Sequence, residues 1–359
     1  MSSLWIVRML SKTGIVKDET YLEHDPGSFH PESPRRLQAI YEMLESRDMK
    51  GNYVAITPRS ASHREIAMNH GDSYIDLVAG TAGKRYYSLD VDTQTSARSY
   101  EAALLAAGGF CNAIDSVIEG EVTNAFALVR PPGHHAEHGS GAGFCIFNTI
   151  AIGARHAMKK HGMKRILIVD WDLHHGNGTQ HSFYNEKEVL YFSTHQSPFY
   201  PGTGGVNETG RDEGLGYTIN VPLRSGPGDA EFVKIYKGIL EPVARKYEPE
   251  IVLLSAGFDI YKKDPMGGMN VSTSGFANLT RILMNIAETY CDGRFVATLE
   301  GGYNIDGQAQ SVKAVLKEMR GETYVSESYL DRIESQSERS VERIIEKAID
   351  QINPVWHIC

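Results

Sequence analysis

The run Ile166-Leu167-Ile168-Val169, followed at once by Asp170-Trp171-Asp172-Leu173-His174-His175-Gly176-Asn177-Gly178, most narrows what this chain can become. A short apolar, β-branched stretch reads as a buried strand. It empties into carboxylates and imidazoles, which a buried position tolerates only when they are paired or bound to a cation. Asp172 and His174 stand two apart, so an extended backbone carried that far would project both from one face. Two such groups at a strand end make half of a divalent-metal site.

Similar strands recur. Strand-type segments fall at residues 125–129, 165–169, 189–193, 217–221, 251–255 and 295–299, with helical stretches at 149–161, 229–247 and 275–291 between several of them. In the second of those helices Phe232, Ile235, Tyr236, Ile239 and Val243 keep helical spacing. Such alternation predicts an α/β fold, a parallel sheet with helices on both faces. Polar clusters follow the strands with unusual regularity: Arg130-Pro131-Pro132-Gly133-His134-His135, Asp170 to His174, Ala256-Gly257-Phe258-Asp259, and Glu300-Gly301-Gly302-Tyr303-Asn304. Ligand sites in open α/β sheets lie beyond the carboxyl ends of strands, so these clusters are expected to meet in one crevice.

The 359 residues suffice for one large domain, and no repeat or Pro/Ser-rich linker divides them. We read a catalytic domain over residues 1–325 and a helical appendage over 326–359 packed on it. Within the appendage Ser335 and Glu338 have capping-box spacing. Val341, Ile344, Ile345, Ala348, Ile349 and Ile352 then form an apolar stripe ended by Pro354. A homo-oligomer built through this helix is the alternative. The net charge of −9 argues against nucleic acid as a partner. Leu4-Trp5-Ile6-Val7 is broken by Arg8, and no apolar run reaches membrane-spanning length, so no membrane association is expected. Cys111, Cys145, Cys291 and Cys359 form no C-x-x-C pair, which fits thiols in a reducing, cytoplasmic setting.

Asp259, after a small Ala-Gly turn, is the best third ligand for Asp172 and His174, leaving a position open for water. Two carboxylates bind the cation strongly but soften its activation of water, which makes a general base useful. His134 and His135 can supply one, with Asp170 and Asn177 available as their partners. A carboxylate raises an imidazole pKa and an amide barely moves it, so the two histidines should titrate differently. Tyr303, on a glycine-rich turn, can donate to a developing oxyanion. Taken singly, a His-His dipeptide is more often surface or core, and a strand-end Asp a turn former. The functional reading rests on their conjunction.

Together these motifs resemble the zinc-dependent histone deacetylase family, closest to its class II branch and prokaryotic relatives. The matching segments are HPESPRRL from His30, RPPGHHAEHGSGAGFCIFN from Arg130, DWDLHHGNGTQ from Asp170, FYPGTG from Phe199, SAGFDIYKKDPMGG from Ser255 and LEGGYN from Leu299. The resemblance spans roughly residues 13–320, and Asn177 and Glu300 look like class II choices. The resemblance implies an arginase/deacetylase fold with a mainly parallel sheet of about eight strands flanked by helices. It implies zinc on Asp172, His174 and Asp259, catalytic imidazoles at His134 and His135 oriented by Asp170 and Asn177, and Tyr303 as oxyanion donor. It further implies an acyl-lysine tunnel walled by Phe144 and Tyr200, where Phe is more usual, with Met266 beside it. Asp92 would lie at its rim and Arg36 in a cavity behind the metal. A structural potassium ion would sit near Asp170, Asp172, His174, Ser193 and Thr194, and a second near Phe183, Val189 and Tyr217.

The function implied is an amidohydrolase that removes acetyl or longer acyl groups from lysine ε-amines. One alternative is an acetylpolyamine amidohydrolase, kept open by Glu23, Asp25 and Asp92 but opposed by apolar Met266. Another is a non-catalytic acyl-lysine-binding scaffold, which predicts a lost ligand or oxyanion donor; none is lost. A binuclear manganese ureohydrolase would need further acids where His175 and Asn177 stand.

Overall fold

Among the described residues, 11–323 and 325–358 of a computed structural model, eight parallel strands form one sheet and two short antiparallel strands a hairpin. The 4–7 segment and Cys359 lie outside the described residues. In chain order the strands are β1 (Thr13–Val16), β2 (Val54–Ile56), β3 (Tyr87–Asp90), β4 (Thr93–Thr95), β5 (Asn124–Ala127), β6 (Ile166–Asp170), β7 (Val189–Gln196), β8 (Thr218–Leu223), β9 (Ile251–Ala256) and β10 (Phe295–Leu299). Sheet order is β2-β1-β5-β10-β9-β6-β7-β8. The four strands whose ends carry the polar clusters, β5, β10, β9 and β6, are therefore consecutive neighbours at its centre. Their register brings Asp170 opposite Ser255, Ala256 opposite Leu299 and Ala127 opposite Thr298. β9 and β10 come late in sequence yet insert between β5 and β6. This reversal of strand order opens the crevice at the carboxyl ends.

The helices are α1 (Pro34–Leu44), α2 (His63–Ile66), α3 (Asp72–Ala79), α4 (Ser99–Ile118), α5 (Thr149–His161), α6 (Asn177–Phe183), α7 (Asp229–Ile235), α8 (Glu241–Tyr247), α9 (Thr273–Tyr290), α10 (Ile305–Met319), α11 (Glu327–Glu334) and α12 (Glu342–Trp356). The expected single helix over 229–247 is interrupted by a π-turn at Tyr236–Leu240. Pro242 explains it: with no N–H and a bulky ring, it cannot continue the regular ladder, and the Glu241 N–H reaches back to the Tyr236 carbonyl instead. Contrary to the expectation that no apolar run is long enough, α4 could cross a membrane by length and composition. It is mostly buried, however, packing against α5 and β5 in the core. Strands β1 and β2 escape sequence reading because they are too short to show a period.

The tail also differs from expectation. Ser335 ends α11 rather than starting a helix, its hydroxyl donating to the Arg332 carbonyl at 2.8 Å. The capping box with Glu338 does not form; the Glu338 N–H is taken by Glu231 Oε1 at 2.9 Å. α12 then passes through Pro354 to Trp356. So close to the helix end the proline forfeits little, and the extra residues carry the Trp356 indole onto the Gly216 carbonyl at 2.7 Å. The predicted stripe does face inward: Val341, Ile345, Ala348 and Ile352 are buried in the main core.

Candidate active site

β6 ends at Asp170, so Asp172 and His174 do not share a face of an extended strand as expected. Side chain-to-backbone turns bring them together instead. Asp170 Oδ1 accepts the Asp172 N–H at 3.1 Å and Asp172 Oδ1 accepts the His174 N–H at 2.9 Å. From the turn after β9, Asp259 Oδ1 accepts the Leu173 N–H at 2.8 Å, and from the turn after β10 the Gly301 N–H donates to Asp172 Oδ2 at 2.9 Å. The result is a buried convergence of donors: His174 Nδ1 lies 3.1 Å from Asp172 Oδ1 and 3.2 Å from Asp259 Oδ2.

That donor set fits a divalent cation. Asp259 Oδ2 is buried without a hydrogen-bond donor. Burial and the neighbouring Asp172 push the Asp259 carboxyl up, the signature of too much negative charge for the space. Glycine at 257 and 301 keeps the cradle open. A Cβ on Gly257 would stand 2.1 Å from Asp172 Oδ2, and one on Gly301 2.3 Å from Asp259 Oδ2. Gly257 thus serves close approach.

The two adjacent histidines differ as their partners dictate. His134 Nδ1 donates to Asp170 Oδ2 at 3.0 Å, and Tyr191 Oη donates to the same oxygen at 3.0 Å. Burial works against a charged His134, but Asp170 and Asp172 outweigh it and hold the pKa up at about 10. His135 Nδ1 donates to Asn177 Oδ1 at 2.8 Å. Burial, then the positive neighbours His134 and His174, keep it well below the usual histidine range. Beneath them Glu300 accepts the Gly133 N–H at 2.7 Å and the Ser255 hydroxyl at 3.0 Å, and burial raises its carboxyl to about 7.

A cavity of about 240 Å³ opens over these groups, lined by Phe144, Phe199, Tyr200, Met266 and Tyr303 among others. Tyr200 meets His135 edge-on at 5.0 Å between ring centres, and Phe144 meets Tyr303 edge-on at 5.9 Å. Phe199, unassigned from sequence although it opens the FYPGTG segment, lies over His174 at 5.5 Å. Asp92 lines the mouth, but Oδ1 is engaged by the Gly143 N–H at 3.1 Å and the Thr93 hydroxyl at 2.9 Å. Arg36 does not line this cavity. It is buried behind Tyr303, with its guanidinium 4.9 Å from that ring, and donates to the Gly302 carbonyl at 2.6 Å and to Glu32 at 2.9 Å. Asp264, overlooked in the sequence, fixes both rims through Met266 N–H at 2.9 Å and Tyr303 N–H at 2.6 Å. Burial holds the Tyr303 phenol well above its usual pKa, and therefore protonated.

Of the remaining expected residues, Ser193 on β7 stands in register with Asp170, with Thr194 next to it. Phe183 closes α6, Val189 opens β7, and the Tyr217 carbonyl accepts from Tyr191 N–H at 2.9 Å. A second cluster, Asp115 with His156 and His161, is an ion-pair network: Lys160 Nζ already holds Asp115 Oδ2 at 2.7 Å.

Residues 30–319 match the histone deacetylase domain family. The chain is 41% identical over 297 residues to a probable deacetylase of Archaeoglobus fulgidus, covering 82% of each. It is 39% identical to histone deacetylase 5 of Arabidopsis thaliana over 85% of this chain and 48% of that protein. Polyamine deacetylase HDAC10 of Homo sapiens is likewise 39% identical, over 81% of this chain and 45% of that one. The chain thus spans less than half the length of the plant and human relatives. A crystal structure of the HDA15 HD domain superposes with a TM-score of 0.90 at 35% identity, covering 97% of this chain and 96% of the other. The chain belongs to the histone deacetylase family, amide hydrolases built on the arginase/deacetylase fold.

Proposed function

We propose that this deacetylase is a Zn2+-dependent lysine deacylase, acting on acetyl or longer acyl groups of lysine in proteins or peptides. The observation that carries the reading is the Asp172, His174 and Asp259 donor set at the foot of an aromatic-walled cavity that Tyr303 also lines. Those three residues would hold zinc, which when bound supplies Lewis acidity toward an acyl carbonyl and the attacking water. His135, with its proton on Nδ1, keeps Nε2 as the base that takes the proton from water. The water oxygen adds to the acyl carbon, and the same proton passes to the departing lysine nitrogen as the C–N bond breaks. His134 stays protonated beside Asp170 and supplies fixed positive charge. The Tyr303 hydroxyl donates to the oxyanion. Phe144, Phe199, Tyr200 and Met266 exclude water from the lysine methylenes.

Potassium is proposed near Asp170, Asp172, His174, Ser193 and Thr194, and a second ion near Phe183, Val189 and Tyr217; the register of Asp170 with Ser193 supports the first. The free, buried Cys111, Cys145 and Cys291 support a reducing, cytoplasmic setting. Against acetylpolyamines, Glu23 is taken by Arg98, the cavity carries apolar Met266, and Asp92 Oδ1 is engaged by the Gly143 N–H and the Thr93 hydroxyl.

The test is turnover of acetyl-lysine and longer acyl-lysine peptides beside acetylspermidine and acetylputrescine, with metal content measured on the same preparation. We expect peptide kcat/KM to exceed that of the polyamines by about ten-fold or more. The reverse order would establish the polyamine reading, and no turnover of either by zinc-loaded protein would leave the scaffold.

A further inference from the structure

Glu137 is absent from the mechanism above, yet it holds the residue that holds the base. Asn177 receives the His135 Nδ1–H on Oδ1, and an amide offers that acceptor in only one of its two orientations. Turned over, it would set an NH2 against the ring N–H. His135 would then have to move its proton to Nε2 and lose the lone pair that meets water. Asn177 Nδ2 donates to Glu137 Oε1 at 2.5 Å and, at 3.4 Å, to the carbonyl of His135 itself. An ionised carboxylate only accepts, so Glu137 is incompatible with the flipped amide.

Glu137 is well mounted for the purpose. Its N–H donates to the Ser140 carbonyl at 2.9 Å, and its own carbonyl accepts His70 Nδ1–H at 2.8 Å. His181 Nδ1 donates to Oε1 from the solvent side at 2.8 Å. The side chain is 27% exposed and is not among the residues lining the acyl cavity.

We propose that Glu137 is a positioning residue that sets the orientation of the Asn177 amide and, through it, the tautomer of His135. The inference rests on the assignment of His135 as the base of the deacylase. It has a sharp consequence. An aspartate at position 177 presents acceptors either way round and needs no orienting partner, while Glu137 beside it would be a like charge. The effect of losing Glu137 must therefore depend on what stands at 177. A carboxylate that merely tied the histidine loop to α6 through His181 would matter equally in both backgrounds, and the tautomer of His135 separates the proposal from a plain link through Asn177.

A double-mutant cycle on an acetyl-lysine peptide reads this directly. Glu137→Ala should lower kcat about ten-fold with KM changed less than about two-fold. Glu137→Gln, which can accept or donate, should fall between. In the Asn177→Asp background Glu137→Ala should be neutral or raise kcat. Equal losses in the two backgrounds, or no loss in the unsubstituted one, overturn the proposal. Imidazole nitrogen chemical shifts give a reading that needs no turnover: Nδ1–H at His135 in the parent, a tautomer mixture in Glu137→Ala. An unchanged tautomer overturns the proposal, whereas absent turnover with the expected shift change counts against the deacylase reading alone.

Discussion

His134 and His135 are covalent neighbours whose ring centres lie 4.0 Å apart, yet their surroundings drive them to opposite protonation states. The carboxylate on one and the amide on the other were both visible in the sequence, and so was the inference that they titrate differently. Invisible was the company around them: Tyr191 on Asp170, Glu137 on Asn177, and Glu300 under the backbone of both His134 and Gly133. Those partners come from other parts of the chain, and no local spacing announces them. Tyr303 illustrates the same division. Its phenol is chemically a donor, but burial keeps it one at any working pH. Tyr303→Phe should lower kcat about 10²–10³-fold with an unchanged far-ultraviolet circular dichroism spectrum and little change in KM. Retained turnover would remove Tyr303 from the mechanism.

Among the elements, the loops after β6 and β10 matter more than the strands. The loop after β6 folds on its own aspartates, and the turn after β10 lies so close to the ligand oxygens that only glycine fits. Gly301→Ala should weaken zinc binding about 10–100-fold, measured by competition with a chelator, while leaving the secondary structure intact. Glu241, the first residue of α8, carries a separate prediction. Burial first, then the acids of α11, raises the Glu241 carboxyl from 4.5 to about 7. Between those values the folded chain keeps a proton that the unfolded chain has released, so stability from this group falls as pH rises through the window. Glu241→Gln should therefore raise the thermal midpoint by about 2 °C above pH 7 and leave it unmoved below pH 4.5, read by calorimetry at both pH values. Lys237 retains partners in Glu327, Asp331 and Glu334 after the change.

At the scale of the molecule, the site exists because β5, β10, β9 and β6 are neighbours, although β9 and β10 follow β6 in sequence. The C-terminal helix stands apart from that chemistry. Trp356 packs edge-on against Tyr217 at 5.1 Å and Tyr247 at 6.0 Å, beside the outer strand β8. Trp356→Ala should cost about 3–5 kcal/mol in denaturant unfolding. It should leave kcat of the folded fraction unchanged, since the residue touches nothing at the crevice. A fall in kcat would mean that α12 shapes the site.

The sequence by itself determined the residue types and the central layering: which segments from β5 to β10 are buried strands, which four strand ends carry polar groups, and that Asp172, His174 and Asp259 are the residues expected to hold a cation. These follow from local properties, apolar periodicity and the cost of burying a lone charge, which any window of the chain reveals. Only the tertiary structure decided how those three residues meet. The fan of turns replacing the expected strand face, the placement of Arg36 behind Tyr303, and the addition of Phe199, Asp264 and Glu137 all depend on contacts between distant segments. Hydrogen-bond direction and close approach are properties of pairs in space. They leave no period along the chain to read.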